Sequence, residues 1–176
     1  CRASRYRPVG RRLAIVTNGG GPGVLAADGV SEINLQLATL TPAQEKQLAP
    51  LLPSLASLCD LIDISEDAGP EHFKAAVELA GKAPQVDGVL AIYSPKIGVD
   101  SSGVASALAE ANKKISKPLL TCLMGDATVG DSRAILNAAA IPTFRTPEAA
   151  VGAFGNIASF YQNQQLLQQT PPPLSN

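Results

Sequence analysis

The feature that most constrains this chain is a short apolar segment that runs directly into a cluster of glycines. Residues 12–17 read RLAIVT, a run typical of a strand buried on both faces. Residues 18–23 read NGGGPG, and apolar residues at helical spacing follow from Val24 to Val30. A buried strand joined to a helix by a tight glycine turn is the usual opening of an α/β fold with a parallel sheet.

The alternation of strand and helix patterns continues along the chain. Leu35, Leu37 and Leu40 predict a second strand, and Thr41 and Pro42 predict the start of a helix that ends near Pro53. Further strands are predicted at residues 60–64, 88–93, 118–123 and 141–144, and further helices from Pro70, Ser101, Gly130 and Pro147. We therefore expect a doubly wound parallel sheet in a flavodoxin-like three-layer α/β/α sandwich, with its site at the carboxyl ends of the strands.

The length of 176 residues suits one well-buried domain. The basic opening, residues 1–10, is predicted to be a linker, residues 11–169 the domain, and the proline-rich residues 170–176 a second linker. Because the first residue is not Met and both ends have linker composition, we expect a fragment of a larger enzyme that is not catalytically complete alone.

Composition argues against several classes of partner. Lys and Arg total 14 against 15 Asp and Glu, so no broad basic surface is predicted to hold nucleic acid. No segment approaches the roughly 18 apolar residues that span a membrane. Cys1, Cys59 and Cys122 are odd in number and widely spaced, which favours a reducing, cytoplasmic location.

The glycine cluster is the strongest candidate site. Glycines allow close approach of a ligand to the backbone, and the following helix presents free N–H groups with a partial positive charge. A phosphate or phosphorylated group is one interpretation, and a purely architectural tight turn is the other. The predicted ligand-binding residues, including those after two neighbouring strands, are Asn18, Gly19, Gly20, Gly21, Gly23, Val24, Ser94 and Gly125.

Two familiar phosphate motifs do not match. A dinucleotide fingerprint requires a third glycine where Val24 stands, and the second predicted strand ends without the acidic residue that binds ribose. A P-loop requires Gly-Lys-Ser/Thr, whereas Gly23 is followed by Val24 and Leu25. The chain is therefore predicted to be neither an NAD-binding domain nor a P-loop ATPase.

For the other reactive side chains, a structural role is favoured over a catalytic or metal-binding one. A Cys122–His72 nucleophile pair is conceivable, but buried cysteine is usually inert and His72 is expected on a helix surface. The acidic residues Asp60, Asp63, Glu66 and Asp67 suit either a magnesium site or a capped loop, and we favour the loop. Asp126 and Asp131 also follow a strand end, where either could cap a helix or face a ligand.

The chain resembles the CoA-ligase domain of NDP-forming acyl-CoA synthetases, which is of succinyl-CoA synthetase type. The strongest match is residues 12–28, RLAIVTNGGGPGVLAAD. It continues through DISEDAGPEHFKAAV (63–77), VDGVLAIYSP (86–95), KPLLTCLMG (117–125), IPTFRTPEAAVGAF (141–154) and YQNQQLL (161–167). One departure is Asp60-Leu61, where many relatives have Asn-Pro before the aspartate that matches Asp63.

The resemblance implies that the glycine-rich loop faces a phosphohistidine loop on a neighbouring domain. It also implies CoA and ATP or ADP with magnesium for the parent protein, together with CoA-binding, phosphohistidine-type and ATP-grasp domains and a possible homo-oligomer. The opening, residues 4–21, is similar to the bacterial protein lysine acetyltransferases, in which an acetyltransferase domain is added and the synthetase-like region no longer ligates, and we expect the parent to be one of them. The alternative function is a non-catalytic docking or regulatory module.

Overall fold

Six parallel strands form the sheet in the part of the chain that the computed structural model describes, residues 10–96, 98, 101–125 and 130–169. The strands are β1 (Arg12–Thr17), β2 (Gln36–Leu37), β3 (Ile62–Asp63), β4 (Gly88–Tyr93), β5 (Leu119–Leu123) and β6 (Thr143–Phe144). The helices are α1 (Gly20–Glu32), α2 (Pro42–Leu48), α3 (Pro70–Lys82), α4 (Ser101–Lys114), α5 (Gly130–Ala138) and α6 (Pro147–Gln168). The predicted α/β fold class is confirmed.

The strand order is β2-β1-β4-β5-β6, with β3 also paired to β1. On one side of β1, β2 pairs with Arg12 and Leu13, and β3 pairs with Val16 and Thr17. One strand position of the flavodoxin-like order is therefore divided between two short strands. Since each has only half of β1 to pair with, β2 and β3 are shorter than the sequence predicts.

Side chains alternate along the strands and divide the core into two layers. Leu13 and Ile15 of β1 lie in the cluster beneath α1 and α6. Ala14 and Val16 lie in the larger cluster beneath α2, α3, α4 and α5. This alternation, repeated in β4 and β5, explains why the central strands read as continuous apolar runs.

The helix boundaries differ from the expected ones at two places. α1 already begins at Gly20, so most of the glycine cluster forms the first helical turn instead of a loop. α2 ends at Leu48 and a short 3₁₀ turn, Ala49–Leu51, replaces the predicted extension toward Pro53. The predicted cap at Thr41 is confirmed, because its hydroxyl accepts a hydrogen bond from the Gln44 N–H. Among the described helices, none is long and apolar enough to cross a membrane.

Candidate functional site

The carboxyl ends of β1 and β4 are held together by the side chain of Asn18. Its Nδ2 donates to the Ser94 carbonyl at 2.9 Å, and its Oδ1 accepts from the Ser94 N–H at 2.8 Å. The residue is only 3% exposed. Both polar atoms of the amide are therefore occupied by backbone, and Asn18 positions the site instead of presenting a free group to a ligand.

Thr17 fixes the turn from β1 into α1, a contribution that the sequence analysis missed. Its Oγ1 accepts from the Gly19 N–H at 3.0 Å and donates to the Gly19 carbonyl at 2.8 Å. Gly19 is the N-cap of α1 in extended backbone, and a Cβ there would lie 3.1 Å from the Ser94 hydroxyl. A hydroxyl at the end of a strand before a glycine cluster is the signal that could have identified Thr17.

The first turn of α1 is open. Gly20 and Gly21 are exposed, no side chain caps the helix, and its first turn has no acidic residue. A Cβ on Gly21 would meet nothing within 4 Å. Since Pro22 has no N–H, the unbonded donors of this turn are those of Gly20 and Gly21, and they carry the positive end of the helix dipole.

Gly23 and Val24 do not share that open space. Gly23 is buried, and a Cβ there would lie 2.9 Å from Thr17 Cγ2 and 3.1 Å from Leu61 Cδ1. The absence of a side chain at Gly23 thus lets α1 pack against the sheet. Val24 is 54% exposed and presents an apolar side chain to solvent.

Ser94 and Gly125 lie on the loops after β4 and β5. Ser94 adjoins Gly19 as described above, and Gly125 has a φ of +88°, a conformation that favours glycine. A Cβ on Gly125 would lie 3.5 Å from Pro95, so the two loops are neighbours. The structure therefore groups Asn18, Gly19 and Ser94, with Gly125 next to Pro95. Asp126 lies outside the described residues.

Negative charge also lies beside the open turn. Asp63 Oδ2 is 3.9 Å from the position of a Cβ on Gly20, while its Oδ1 accepts from the Ser65 N–H. Lys96 Nζ reaches Glu66 at 3.2 Å and Asp67 at 3.9 Å. Asp63 therefore binds the backbone of its own loop, and Glu66 and Asp67 form ion pairs with Lys96. No group of three or more metal-ligating side chains occurs among the described residues.

The two candidate nucleophiles are separated by the sheet. His72 Nδ1 accepts from the Gly69 N–H at 2.8 Å at the start of α3, on the face covered by α2–α5. Cys122 lies in the opposite cluster beneath α1 and α6, where burial, with a smaller effect of Glu148, raises the pKa of its thiol to about 11. The geometry excludes a Cys122–His72 pair.

Comparison with known proteins gives a consistent match. The model of the family described as "Ligase-CoA domain" matches residues 13–167. The chain is 33% identical over 156 residues to acetate–CoA ligase [ADP-forming] I of Archaeoglobus fulgidus, which covers 89% of this chain and 22% of that ligase. It is 31% identical over 150 residues to the alpha subunit of acetate–CoA ligase [ADP-forming] II of Pyrococcus furiosus. That match covers 83% of this chain and 33% of the subunit.

A solved structure shares the fold. It is that of acetyl-coenzyme A synthetase 1 of Ca. Korarchaeum cryptofilum, described as dinucleotide forming and in complex with phosphate and ADP. It superposes on this chain with a TM-score of 0.82 at 25% sequence identity. The match covers 95% of this chain and 37% of that one. The chain thus spans roughly a fifth to two fifths of the length of these proteins.

Proposed function

Because this chain belongs to the Ligase-CoA domain family, we propose that it acts within an acyl-CoA synthetase of the ADP-forming type and stabilises a transferring phosphoryl group at the first turn of α1. The proposal concerns only the part of such a synthetase that this chain matches. Catalysis would require the other domains of the synthetase. The boundaries 11–169 for the domain, with linkers on either side, stay part of this proposal.

The observation that carries the proposal is the open first turn of α1. The Gly20 and Gly21 N–H groups have neither a side-chain cap nor an acidic side chain from their own turn to bind. A phosphoryl group approaching this turn would accept those hydrogen bonds and gain from the helix dipole. Asn18 and Thr17 hold the turn to the ends of β1 and β4, so the donors are fixed before the ligand arrives.

The remaining groups of such a reaction come from other domains. The described residues of this chain offer no cluster of three metal ligands, and its glycine turn lacks the lysine of a P-loop. We therefore assign CoA, ATP or ADP and magnesium to neighbouring CoA-binding, phosphohistidine-type and ATP-grasp domains. An attached acetyltransferase domain is the narrower prediction from residues 4–21, and the cytoplasmic location stays a prediction from the cysteines.

Two observations favour a second function, that of a docking module. The Asp63 carboxylate beside Gly20 would repel an anion at the first turn of α1. Val24 and Leu25, 54% and 50% exposed on the following turn, would suit contact with another domain. In this case Gly23 serves packing, the other glycines form only a tight turn, and no anion binds.

A phosphate titration of the ¹⁵N-labelled chain distinguishes the two functions. Inorganic phosphate should shift the amide resonances of Gly20 and Gly21 in a saturable manner, and KCl at equal ionic strength should not. Gly21→Val should abolish these shifts, because a branched side chain would occupy the space beside the donors. Gly152→Val is the matched control, since a Cβ on Gly152 also meets nothing within 4 Å but lies on α6.

Asp63→Asn tests whether the negative charge of Asp63 weakens phosphate binding. Removing the negative charge should strengthen phosphate binding by about three- to tenfold at low salt, and the gain should shrink as salt screens the charge. Equal shifts in the Gly21→Val variant and the unmodified chain, or no saturable shift even in Asp63→Asn, would favour the docking module. Sequencing the coding region on both sides would then show whether a phosphohistidine loop or an acetyltransferase domain accompanies the chain.

A further inference from the structure

A second concave site lies at the opposite, amino-terminal edge of the sheet. The cavity has a volume of about 490 Å³ and is lined by the start of β5, the end of α4, the turn between α5 and β6, and α6. Proteins bind small molecules in cavities of roughly 300–1,000 Å³. The site is separate from the first turn of α1, because none of its lining residues belongs to β1 or α1.

The cavity exists because β6 is too short to cover β5. The ladder between these strands pairs only Thr121 with Thr143 and Cys122 with Phe144. The Thr121 N–H donates to the Pro142 carbonyl, on the β6 side. Since peptide groups alternate between the two sides of a strand, the Leu119 N–H and carbonyl point to that same side. Within the described residues no strand lies opposite them.

The cavity therefore offers a hydrogen-bond donor and an acceptor from one residue. Leu119 lines the cavity and is only 4% exposed, and the ladder to β6 gives its peptide groups no partner, so they lie in a mainly apolar environment. Pro118, the residue before it, has no N–H to extend the edge. A peptide strand could add only one residue to such an edge, so a compact ligand fits better than β-augmentation.

The other lining groups define the ligand further. Phe160 and Tyr161 contribute aromatic rings, with Phe160 57% exposed, and Leu120 and Ile157 add aliphatic surface. Asn112 and Asn156 contribute amide side chains. None of the lining residues is charged. A charged ligand would lose hydration here without gaining an opposite charge.

We propose that this cavity binds an uncharged, planar heterocycle whose edge carries a hydrogen-bond donor next to an acceptor. The heterocycle pairs with the Leu119 peptide groups and packs its face against the aromatic rings of α6. Such geometry gives orientation through two hydrogen bonds and affinity through apolar contact.

Quinolin-2-one, which has an N–H beside a carbonyl, is the probe for the whole ¹⁵N-labelled chain. It should shift the amide resonances of Leu119, Leu120 and Phe160 in a saturable manner. N-methylquinolin-2-one keeps the ring and loses the donor, so it should bind about fivefold more weakly, as one hydrogen bond is lost. Phe160→Ala should weaken binding of the parent probe by a similar factor or more, while Leu166→Ala, an exposed position on the same helix, should not.

Three results would overturn the proposal. The first is no change at these amides up to the solubility limit of quinolin-2-one. The second is equal affinity for the two compounds, which would show contact with apolar surface and no paired edge. The third is a shift of the same amides when the chain is diluted without a probe, because a second copy of the chain would then occupy the cavity.

Discussion

Replacing Asn18 by aspartate tests whether one buried amide holds the site together. The aspartate keeps an oxygen that accepts from the Ser94 N–H, but it places a second oxygen against the Ser94 carbonyl, where Nδ2 now donates at 2.9 Å. The side chain is too buried for water to separate the two oxygens, since the residue is 3% exposed. The variant should therefore be destabilised whenever the new carboxyl is ionised.

The expected loss follows from the contacts. One hydrogen bond contributes about 1 kcal/mol, and leaving a buried acceptor unpaired costs about 1–3 kcal/mol, so we expect about 3 kcal/mol at neutral pH. Protonation of the carboxyl restores a donor toward the Ser94 carbonyl, so folding raises its pKa above the unfolded value of about 3.9. A loss of this size corresponds to a folded pKa near 6, at about 1.4 kcal/mol for each unit.

The direction of the pH dependence follows from linkage. The folded variant holds its proton more tightly than the unfolded chain does, so this carboxyl causes no loss of stability below about pH 4. The deficit relative to the unmodified chain should grow as the pH rises from about 4 to 6 and then level off. Asn18→Ala, which has no titrating group, should lose about 2–3 kcal/mol, with a deficit that stays constant with pH.

Urea unfolding followed by circular dichroism at several pH values between 4 and 8 measures these differences. Asn163→Asp is the surface control, because Asn163 is exposed on α6, and its stability should track that of the unmodified chain. An Asn18→Asp variant within about 0.5 kcal/mol of the unmodified chain at pH 7 would refute the reasoning, as would a deficit that does not change with pH.

The other predictions concern the glycines and the thiols. Gly23→Ala should destabilise the chain by about 1–3 kcal/mol in urea, because its Cβ would lie 2.9 Å from Thr17 Cγ2. Gly21→Ala, in open space in the same helix, should stabilise it by about 0.5–1 kcal/mol, and equal effects of the two changes would contradict this assignment. In a Cys1→Ser variant, a thiol reagent at pH 8 should label one cysteine, the exposed Cys59, and should label Cys122 only after unfolding, since burial raises the pKa of that thiol to about 11. Rapid labelling of both thiols in the folded state would contradict the buried position of Cys122.

Much of the fold was predictable because its signals are local. The runs at residues 12–17 and 88–93 match β1 and β4, and Pro42, Pro70 and Pro147 mark the first residues of three helices. Strand lengths were less predictable. Residues 60–64 read as a full strand, yet only Ile62 and Asp63 find a ladder partner, since β2 already occupies the first half of that edge.

The location of the candidate site was predicted from the sequence, but the roles of its individual residues were not. The glycine cluster was identified because its position between a strand and a helix is visible in the sequence. The pairing of Asn18 with Ser94 was not predictable, since these residues are 76 positions apart and become neighbours only when β1 pairs with β4. Likewise, the cavity beside Leu119 depends on where β6 begins, since its first residue, Thr143, pairs with Thr121.

The sequence by itself determined the α/β layers and the family, because apolar periodicity and the ordered motifs are properties of the chain alone. Only the tertiary structure decided what each glycine does. Gly21 and Gly23 are two residues apart in the same helical turn, but the helix directs one to solvent and the other onto Thr17 and Leu61. That difference arises from the orientation of α1 on the sheet, which is set by contacts between residues distant in the chain.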